Sequence, residues 1–371
     1  MSASNEVEEG AVEANVPLLK DVPLAQSLNV VLAGRYTNYS ITGAVETWKI
    51  GLDWHVNDDV RFRGTTSVDI RAPTLNDLYS PATSNSGPFL DPLTNFNPGG
   101  IQTVASGNPN LQPESSRTYT VGVVLTPSFI PGLTASVDYY KIVLKNAILN
   151  QAGNATFANI CDASGGTSPF CALIPRPFPI TNTTTANYPT LLISELLNAA
   201  YNATEGEDYE VDYSFDTADI DSSMAGLVNL RALLNVAPVN TTSSFPGASI
   251  QHTTNPKGHA TFFADYTLGN WSVDMQYHWF SDLNKNGIFG SGQSFFAVPT
   301  VGPFATFDFT LSKKIAFDNG SAASVYFNVQ NAFNAIPPDV TGSSGNPGGI
   351  NVPQGEDVMG RYFTIGIRGN L

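Results

Sequence analysis

Few side chains in this sequence have the types and spacings that support chemistry. Two acidic stretches, Asp58-Asp59 and residues 205–210, fall in predicted turns or loops, and neither has the spacing of a calcium-binding loop. The four histidines are scattered without metal-ligand spacing: His55, His252, His259 and His278. Phosphate loops, nucleophile elbows and dinucleotide fingerprints do not occur. The sequence therefore predicts no enzyme activity, no catalytic residue, no cofactor and no metal site.

The two cysteines are Cys161 and Cys171, in a loop-like stretch rich in Asn, Ser, Gly and Pro. A close pair of this kind forms a loop-stapling disulfide in an oxidising compartment. The alternative is two unrelated free thiols. Zinc is disfavoured because no histidine or further cysteine lies nearby at ligand spacing. We predict that the two cysteines form a disulfide.

A third group of polar residues lies along one predicted strand. Between Val60 and Arg71, alternate positions carry Arg61, Arg63, Asp69 and Arg71. The positions between them are mostly apolar: Val60, Phe62, Val68 and Ile70. A period of two indicates a strand with one polar and one apolar face. The four charged residues are therefore predicted to share one surface of a sheet.

The same alternation recurs along the whole chain. It marks about 13 segments, mostly of ten residues or more, whereas strands of globular proteins have about five or six. Strands that cross a bilayer at a tilt need about 9–11 residues. Hydrophobic residues make up 42% of the chain and charged residues 13%, with a mean hydropathy of −0.06, so apolar and polar residues are interleaved. No apolar run is long enough for a transmembrane helix.

The connections between these segments differ in length. Short ones are predicted at 56–59, 127–132, 269–270 and 318–320. Long ones are predicted at 72–115, 149–206, 238–256, 281–302 and 335–360. The second long loop is expected to contain a helix at Thr190–Tyr201, where apolar residues have helical spacing. The pattern predicts an all-β fold: an antiparallel up-and-down transmembrane β-barrel with short periplasmic turns and long extracellular loops.

The net charge, the aromatic residues and the first ten residues give information on the partners and cellular location of the protein. The net charge is −15 and no basic patch is visible, which argues against a nucleic-acid partner. Aromatic residues make up 11% of the chain, and many lie near the ends of predicted strands, as at a membrane interface. The first residues, Met1 to Gly10, are acidic and show no apolar core of a signal peptide.

Several motifs, in a shared order, make the chain resemble the C-terminal barrel of TonB-dependent receptors. They are Arg71-Ala72-Pro73-Thr74-Leu75, Gly107-Asn108-Pro109-Asn110-Leu111-Gln112-Pro113-Glu114, Tyr119-Thr120-Val121-Gly122-Val123, Gly132–Ile142, Asn328–Asn334 and Gly360–Arg368. The resemblance covers nearly all of residues 1–371. It implies a partial barrel, about 13 strands of a larger one of about 22. A plug domain and the first strands are expected to be missing, so the chain is interpreted as a truncated form or a fragment.

The resemblance also implies a function, partners and a location. The whole receptor would take up a scarce solute such as a siderophore, vitamin or carbohydrate across the cell outer membrane, with outer-membrane lipid around it. The TonB energy-transducing complex would act through the missing N-terminal region, and the small-molecule ligand is unknown. Arg61, Arg63, Asp69 and Arg71 would face the lumen, where they meet either a plug or only water. The alternatives are a porin-like channel without a plug and a secreted soluble all-β binding protein.

Overall fold

The structure is a computed structural model that describes residues 3–248, 250–252, 257–284, 300–317, 321–338 and 360–370. The strands are β1 Val7–Val22, β2 Ala25–Tyr39, β3 Gly43–His55, β4 Val60–Arg71, β5 Thr83–Gly87, β6 Ile101–Ser106, β7 Glu114–Leu125, β8 Leu133–Ala152, β9 Leu192–Asp216, β10 Leu227–Ser243, β11 Gln251–His252, β12 Gly258–Leu268, β13 Trp271–Phe280, β14 Leu283–Asn284, β15 Thr300–Val301, β16 Phe304–Ala316, β17 Ala322–Gln330 and β18 Tyr362–Asn370. The helices are α1 Leu75–Tyr79 and α2 Ala155–Ala163, with 3-10 turns at Pro169–Leu173, Thr185–Asn187 and Thr217–Asp219. None of the helices in these ranges is long and apolar enough to cross a membrane.

Within the described residues, sixteen strands form one sheet. Thirteen of them are successive antiparallel neighbours, in the order β1-β2-β3-β4-β7-β8-β9-β10-β12-β13-β16-β17-β18. This order confirms the predicted up-and-down meander of about 13 strands. Because the number of strands is odd and each neighbour reverses direction, β1 and β18 run the same way at the two ends of the sheet. Of the remaining strands, β6 pairs in parallel with β9.

The connections are sorted by rim, as predicted. Strands joined by short connections meet at one rim, here called the turn rim, at 23–24, 56–59, 126–132, 217–226 and 269–270, and β16 and β17 also end and begin there. At the opposite loop rim lie the long connections 72–113 and 153–191, the strand ends that border the connections 244–257, 281–303 and 331–361, and one short turn at 40–42. A meander that turns tightly at one end and loops widely at the other is the arrangement of outer-membrane barrels.

The predicted helix at Thr190–Tyr201 is wrong, because Leu192–Asp216 is a strand of 25 residues. Residues 149–206 are likewise not one continuous loop, since β8 continues to Ala152 and β9 begins at Leu192. The two strands pair up to the contact between Ala152 and Ser194. The adjacent residues Leu192 and Ile193 both pack against the buried core of the loops, so apolar residues at the start of β9 do not alternate and imitate helical spacing. Both strands extend well beyond the 9–11 residues that a bilayer requires.

The pleat of the sheet separates two faces. The register places Trp48 opposite Val68 and Trp54 opposite Phe62 on one face, and Asp53 opposite Arg63 on the other. The second face is the inner one, because polar side chains from β3 to β9 line a common cleft on it. The outer face is mostly apolar and carries exposed side chains such as Ile50, Leu52, Phe62, Val121, Phe262 and Ile365. This separation is what a barrel wall between lipid and water requires.

Two long connections fold together beyond the loop rim. We call them the loop cap, residues 72–113 and 153–191. Their shared buried core consists of Phe89, Ile101, Phe157, Ala158, Leu173 and Ile174, with Leu192 of β9. The rings of Phe157 and Phe170 stack with centroids 4.6 Å apart, and Phe245, from the connection after β10, packs against both at 5.0 Å. The loop cap therefore has its own hydrophobic core and is not a set of independent loops.

Candidate functional site

The inner face carries a series of arginine–carboxylate pairs. Arg61 donates to both oxygens of Asp53, with Nε 2.6 Å from Oδ1 and Nη2 3.0 Å from Oδ2. Arg63 holds Asp138 in the same two-point manner, with Nε 2.8 Å from Oδ1. Bidentate pairs fix both side chains in orientation, so this part of the face presents an ordered charge pattern.

Gly122 allows the Arg63–Asp138 pair to form. Arg63 lies on β4 and Asp138 on β8, and the register places Gly122 of β7 directly between them. A Cβ at this glycine would come within 2.0 Å of Asp138 Oδ1 and 2.9 Å of the Val137 carbonyl oxygen. The missing side chain therefore opens the space in which the two charged groups meet across an intervening strand.

A second polar group continues the pattern on β9 and β10. Arg231 pairs with Glu210 and lies 3.4 Å from Asp212 Oδ1. Asn235 Nδ2 donates to Asp208 Oδ1 at 2.6 Å and to the Tyr140 hydroxyl at 3.1 Å. The inner face between β3 and β10 is thus rich in ordered donors and acceptors, with more acidic than basic groups.

Arg71 and Asp69 lie nearer the loop rim than the Arg63 pair. Arg71 binds Glu114 through Nε at 2.6 Å and Nη2 at 2.8 Å, and its Nη1 lies 3.5 Å from Asp77 Oδ2. Asp69 accepts a hydrogen bond from Ser67 Oγ at 2.8 Å. The four residues singled out in the sequence therefore share one face, but each has its own partner and they do not form one cluster. Their contact with a plug stays a prediction.

The most buried ion pair lies in the loop cap, outside the sheet. Arg176 Nη1 and Nη2 donate to the two oxygens of Asp91 at 2.8 and 2.6 Å, and the side chains are 6% and 0% exposed. Arg176 also donates to the carbonyl oxygen of Asn187 at 3.0 Å, and Thr94 Oγ1 donates to Asp91 at 2.7 Å. Burial alone raises the pKa of Asp91, but the bonds from Arg176 and Thr94 outweigh it and hold that pKa below its ordinary value. The pair connects residues 85 positions apart.

Asp162 is the unmatched member of the same region. Its Oδ1 is buried without a hydrogen-bond partner and lies 3.9 Å from Arg176 Nη2. Burial raises the pKa of Asp162, the charge of Arg176 opposes the shift, and the charge of Asp91 adds to it. The loop cap therefore contains one carboxylate that folding favours as an ion and one that it disfavours.

The structure pairs Cys161 at the end of α2 with Cys171 in the following 3-10 turn, in a disulfide that closes a loop of 10 residues. Cys161 is buried beside the cap core. The bridge joins the helix, whose first turn is capped by Asn154, to the segment that leads to Arg176. Among the described residues, no group of three or more His, Cys, Asp or Glu side chains is placed to hold a metal ion.

The fold and its two faces define the class of protein: a section of an outer-membrane β-barrel. The sequence model of a family described as "TonB dependent receptor-like, beta-barrel" matches residues 11–332. The chain therefore belongs to this family, whose members are receptors and transporters of the outer membrane. The turn rim is the periplasmic side and the loop rim is the extracellular side.

Individual relatives agree with this assignment. The chain is 30% identical over 125 residues to the vitamin B12 transporter BtuB of Vibrio vulnificus (strain YJ016), a match that covers 33% of this chain and 16% of that protein. The siderophore receptor PirA from Acinetobacter baumannii is similar in fold, with a TM-score of 0.65, 14% identity and 99% of this chain covered. The ferric enterobactin receptor PfeA is also similar in fold, with a TM-score of 0.66, 15% identity and 99% of this chain covered. The chain spans 46% of each of these two structures.

Sequence reasoning missed the partners of the inner-face arginines and the buried pair of the loop cap. The sequence shows Asp138 and Glu114 as polar residues in alternating segments. Only the register of β4, β7 and β8 shows which arginine each carboxylate contacts. No sequence signal pointed to Asp91 and Arg176, because the two lie in different loops.

Proposed function

We propose that this chain forms part of the wall and the extracellular loops of a receptor for TonB-dependent uptake of a scarce solute such as a siderophore or a vitamin. The ordered, ion-paired inner face is the observation that carries the proposal. A porin-like channel needs a water-filled lumen, but it does not need bidentate pairs such as Arg63–Asp138, which forms across Gly122 and fixes the carboxylate in one orientation. Such a face suits contact with another folded polar surface.

The partner of that face would be a plug domain supplied by sequence outside these 371 residues. The TonB complex would act on the plug side and supply the energy, and the described residues would contribute positioning without covalent chemistry. The solute would first meet the loop cap, which has a core of its own and so offers a preformed surface. These roles extend to this chain what its family relatives suggest.

Uptake by cells that carry the full-length protein tests the proposal. We expect accumulation of one member of a panel of ⁵⁵Fe-loaded siderophores or of ⁵⁷Co-cobalamin, and its loss when TonB is deleted or the proton gradient is collapsed. Arg63→Ala should reduce this uptake, and Arg35→Ala, which removes a cation whose pair with Glu9 is half-exposed, serves as the matched control. Uptake that rises linearly with solute concentration and continues without TonB would favour the porin-like channel.

A further inference from the structure

The charged side chains of the loop cap are engaged within the protein. They are Asp77, Asp91, Asp162 and Arg176. Asp77 caps α1 and lies 3.5 Å from Arg71. Asp91 and Arg176 form the buried pair, and the buried Oδ1 of Asp162 lies beside it. Because Arg176 is the one basic residue in the sequence of the cap, the cap surface presents no free cation to an anionic solute.

The surface of the cap carries two phenylalanine rings among uncharged polar side chains. Phe96 is 36% exposed and Phe178 is 49% exposed. Asn95 and Asn97 are exposed on either side of Phe96, and Thr183 is exposed in the segment that follows Phe178. We call these five residues the polar-aromatic patch. The patch combines apolar ring faces with amide and hydroxyl groups that both donate and accept hydrogen bonds.

Both rings of the patch are positioned by the same short segment of the cap. Phe96 packs edge-on against the Tyr188 ring, with centroids 5.6 Å apart. The backbone N–H of Phe178 donates to Asn187 Oδ1 at 2.9 Å. These two anchors are consecutive residues, so their Cα atoms are about 3.8 Å apart. Arg176 donates to the Asn187 carbonyl oxygen at 3.0 Å, which ties the anchors to the buried pair. The patch is therefore preformed, which lowers the entropy cost of binding.

Such a patch matches a ligand that has apolar ring faces and uncharged polar edges. A pyranose ring presents C–H groups on its faces and hydroxyl groups around its edge. Aromatic rings bury the C–H faces, and asparagine and threonine side chains bond the hydroxyl groups in either direction. An acidic sugar or an anionic iron chelate would lose water at this surface without gaining a charged partner. The chemistry of the cap therefore favours a neutral sugar over an anion.

We propose that the polar-aromatic patch binds a neutral oligosaccharide, and that a sugar of this class is the solute of the receptor. Phe96 and Phe178 stack on two sugar rings. Asn95, Asn97 and Thr183 bond the hydroxyl groups of those rings. The inference rests on the proposed uptake function and names the class of solute for it.

Titration calorimetry of the full-length protein in mild detergent, paired with uptake by cells, tests the proposal. The neutral probes are maltohexaose, xylohexaose and mannohexaose, and the comparison probes are hexagalacturonate, ferric enterobactin and cyanocobalamin. We expect one neutral hexasaccharide to bind, and hexagalacturonate and ferric enterobactin not to bind. The double substitution Phe96→Ala/Phe178→Ala should lower the affinity for that sugar by at least about tenfold. Phe129→Ala is the matched control, since Phe129 is 81% exposed but lies at the opposite, periplasmic rim, and it should leave the affinity unchanged.

The outcomes separate this inference from the proposed function. Binding of a neutral hexasaccharide that the double variant loses and the control keeps supports the inference. No binding of any neutral hexasaccharide, equal binding by the double variant and the wild type, or equal binding of hexagalacturonate overturns it. TonB-dependent uptake of ferric enterobactin or cyanocobalamin without sugar binding also overturns it, but leaves the proposed function standing. Sugar binding by the patch together with uptake that continues without TonB supports the assignment of the patch and contradicts the proposed function.

A second variant keeps the test decisive if the double variant fails to fold. Should the double variant lose its heat-modifiable band, Phe178→Ala alone replaces it, because Phe178 is anchored through its backbone N–H and its ring is half-exposed. This single variant should lower the affinity for the neutral hexasaccharide by at least about threefold. An unchanged affinity overturns the inference.

Discussion

The buried Arg176–Asp91 pair gives a quantitative test of how the loop cap is held together. Arg176→Met keeps an apolar stem but removes the guanidinium that donates to Asp91 and to the Asn187 carbonyl oxygen. Breaking a buried pair by removing one partner costs about 3–5 kcal/mol. The relief available is protonation of Asp91, which at pH 7 costs about 4 kcal/mol from the ordinary carboxyl pKa. Local opening of the cap should therefore become more frequent by about two to three orders of magnitude.

Hydrogen exchange measured by mass spectrometry on the full-length protein in lipid nanodiscs reports this opening. The informative amides are Asp91 N–H, which donates to the Phe96 carbonyl oxygen at 3.1 Å, and Thr190 N–H, which donates to that of Pro175 at 3.0 Å. Arg35→Met is the control, since Arg35 and Glu9 are 3.6 Å apart and half-exposed, and surface pairs contribute little. Adding Asp91→Leu to Arg176→Met should recover most of the protection. Exchange in Arg176→Met within fivefold of the wild type would show that the pair does not hold the loop cap closed.

Other changes test the loop cap and the open edges of the sheet. Asp162→Asn should stabilise the loop cap at pH 7 by about 1 kcal/mol. A carboxyl whose pKa is raised on folding loses its stabilising contribution as pH rises through the folded-state pKa, so the gain from the substitution should vanish below about pH 4. An equal gain in stability at pH 3 would contradict this. Cys161→Ser/Cys171→Ser should lower the stability of the loop cap by about 2–3 kcal/mol. Mass spectrometry of protein from the outer membrane should find no free thiol, and two free thiols would show that the disulfide does not form. Residues 1–371 expressed alone should give no heat-modifiable monomer in semi-native electrophoresis. The reason is that the outermost strands β1 and β18 run parallel, and unpaired backbone groups in lipid cost several kcal/mol each. A compact monomer that transports solute would contradict this prediction.

The meander and its rims were predictable because both depend on local sequence. Alternation sets the strands, and connection length sets the rim, as Val60–Arg71 and the loops on either side of the sheet illustrate. The first part of β9 was not predictable in this way. Its apolar run fits a helix as well as a strand covered on both faces, and only pairing with β8 and β6 decides between them.

The candidate site was also predictable only in part. The shared face of Arg61, Arg63 and Arg71 follows from a period of two, and no long-range information is needed. Their partners require the register between strands, since a slip of one residue would exchange the two faces of a strand. The Asp91–Arg176 pair depends on how two loops pack, which no periodicity encodes.

As a barrel wall, the chain has lipid on one face and a water-filled lumen on the other. A nitroxide scan of β4 in the full-length protein, reconstituted in bilayers, tests this arrangement, because each position reports its contact with lipid-soluble oxygen or with a water-soluble relaxation agent. We expect a period of two, with oxygen favoured at Phe62 and Val68 and the water-soluble agent at Arg61 and Arg63. Greater lipid contact at position 61 than at position 62, or equal exposure of both to water, would contradict the account.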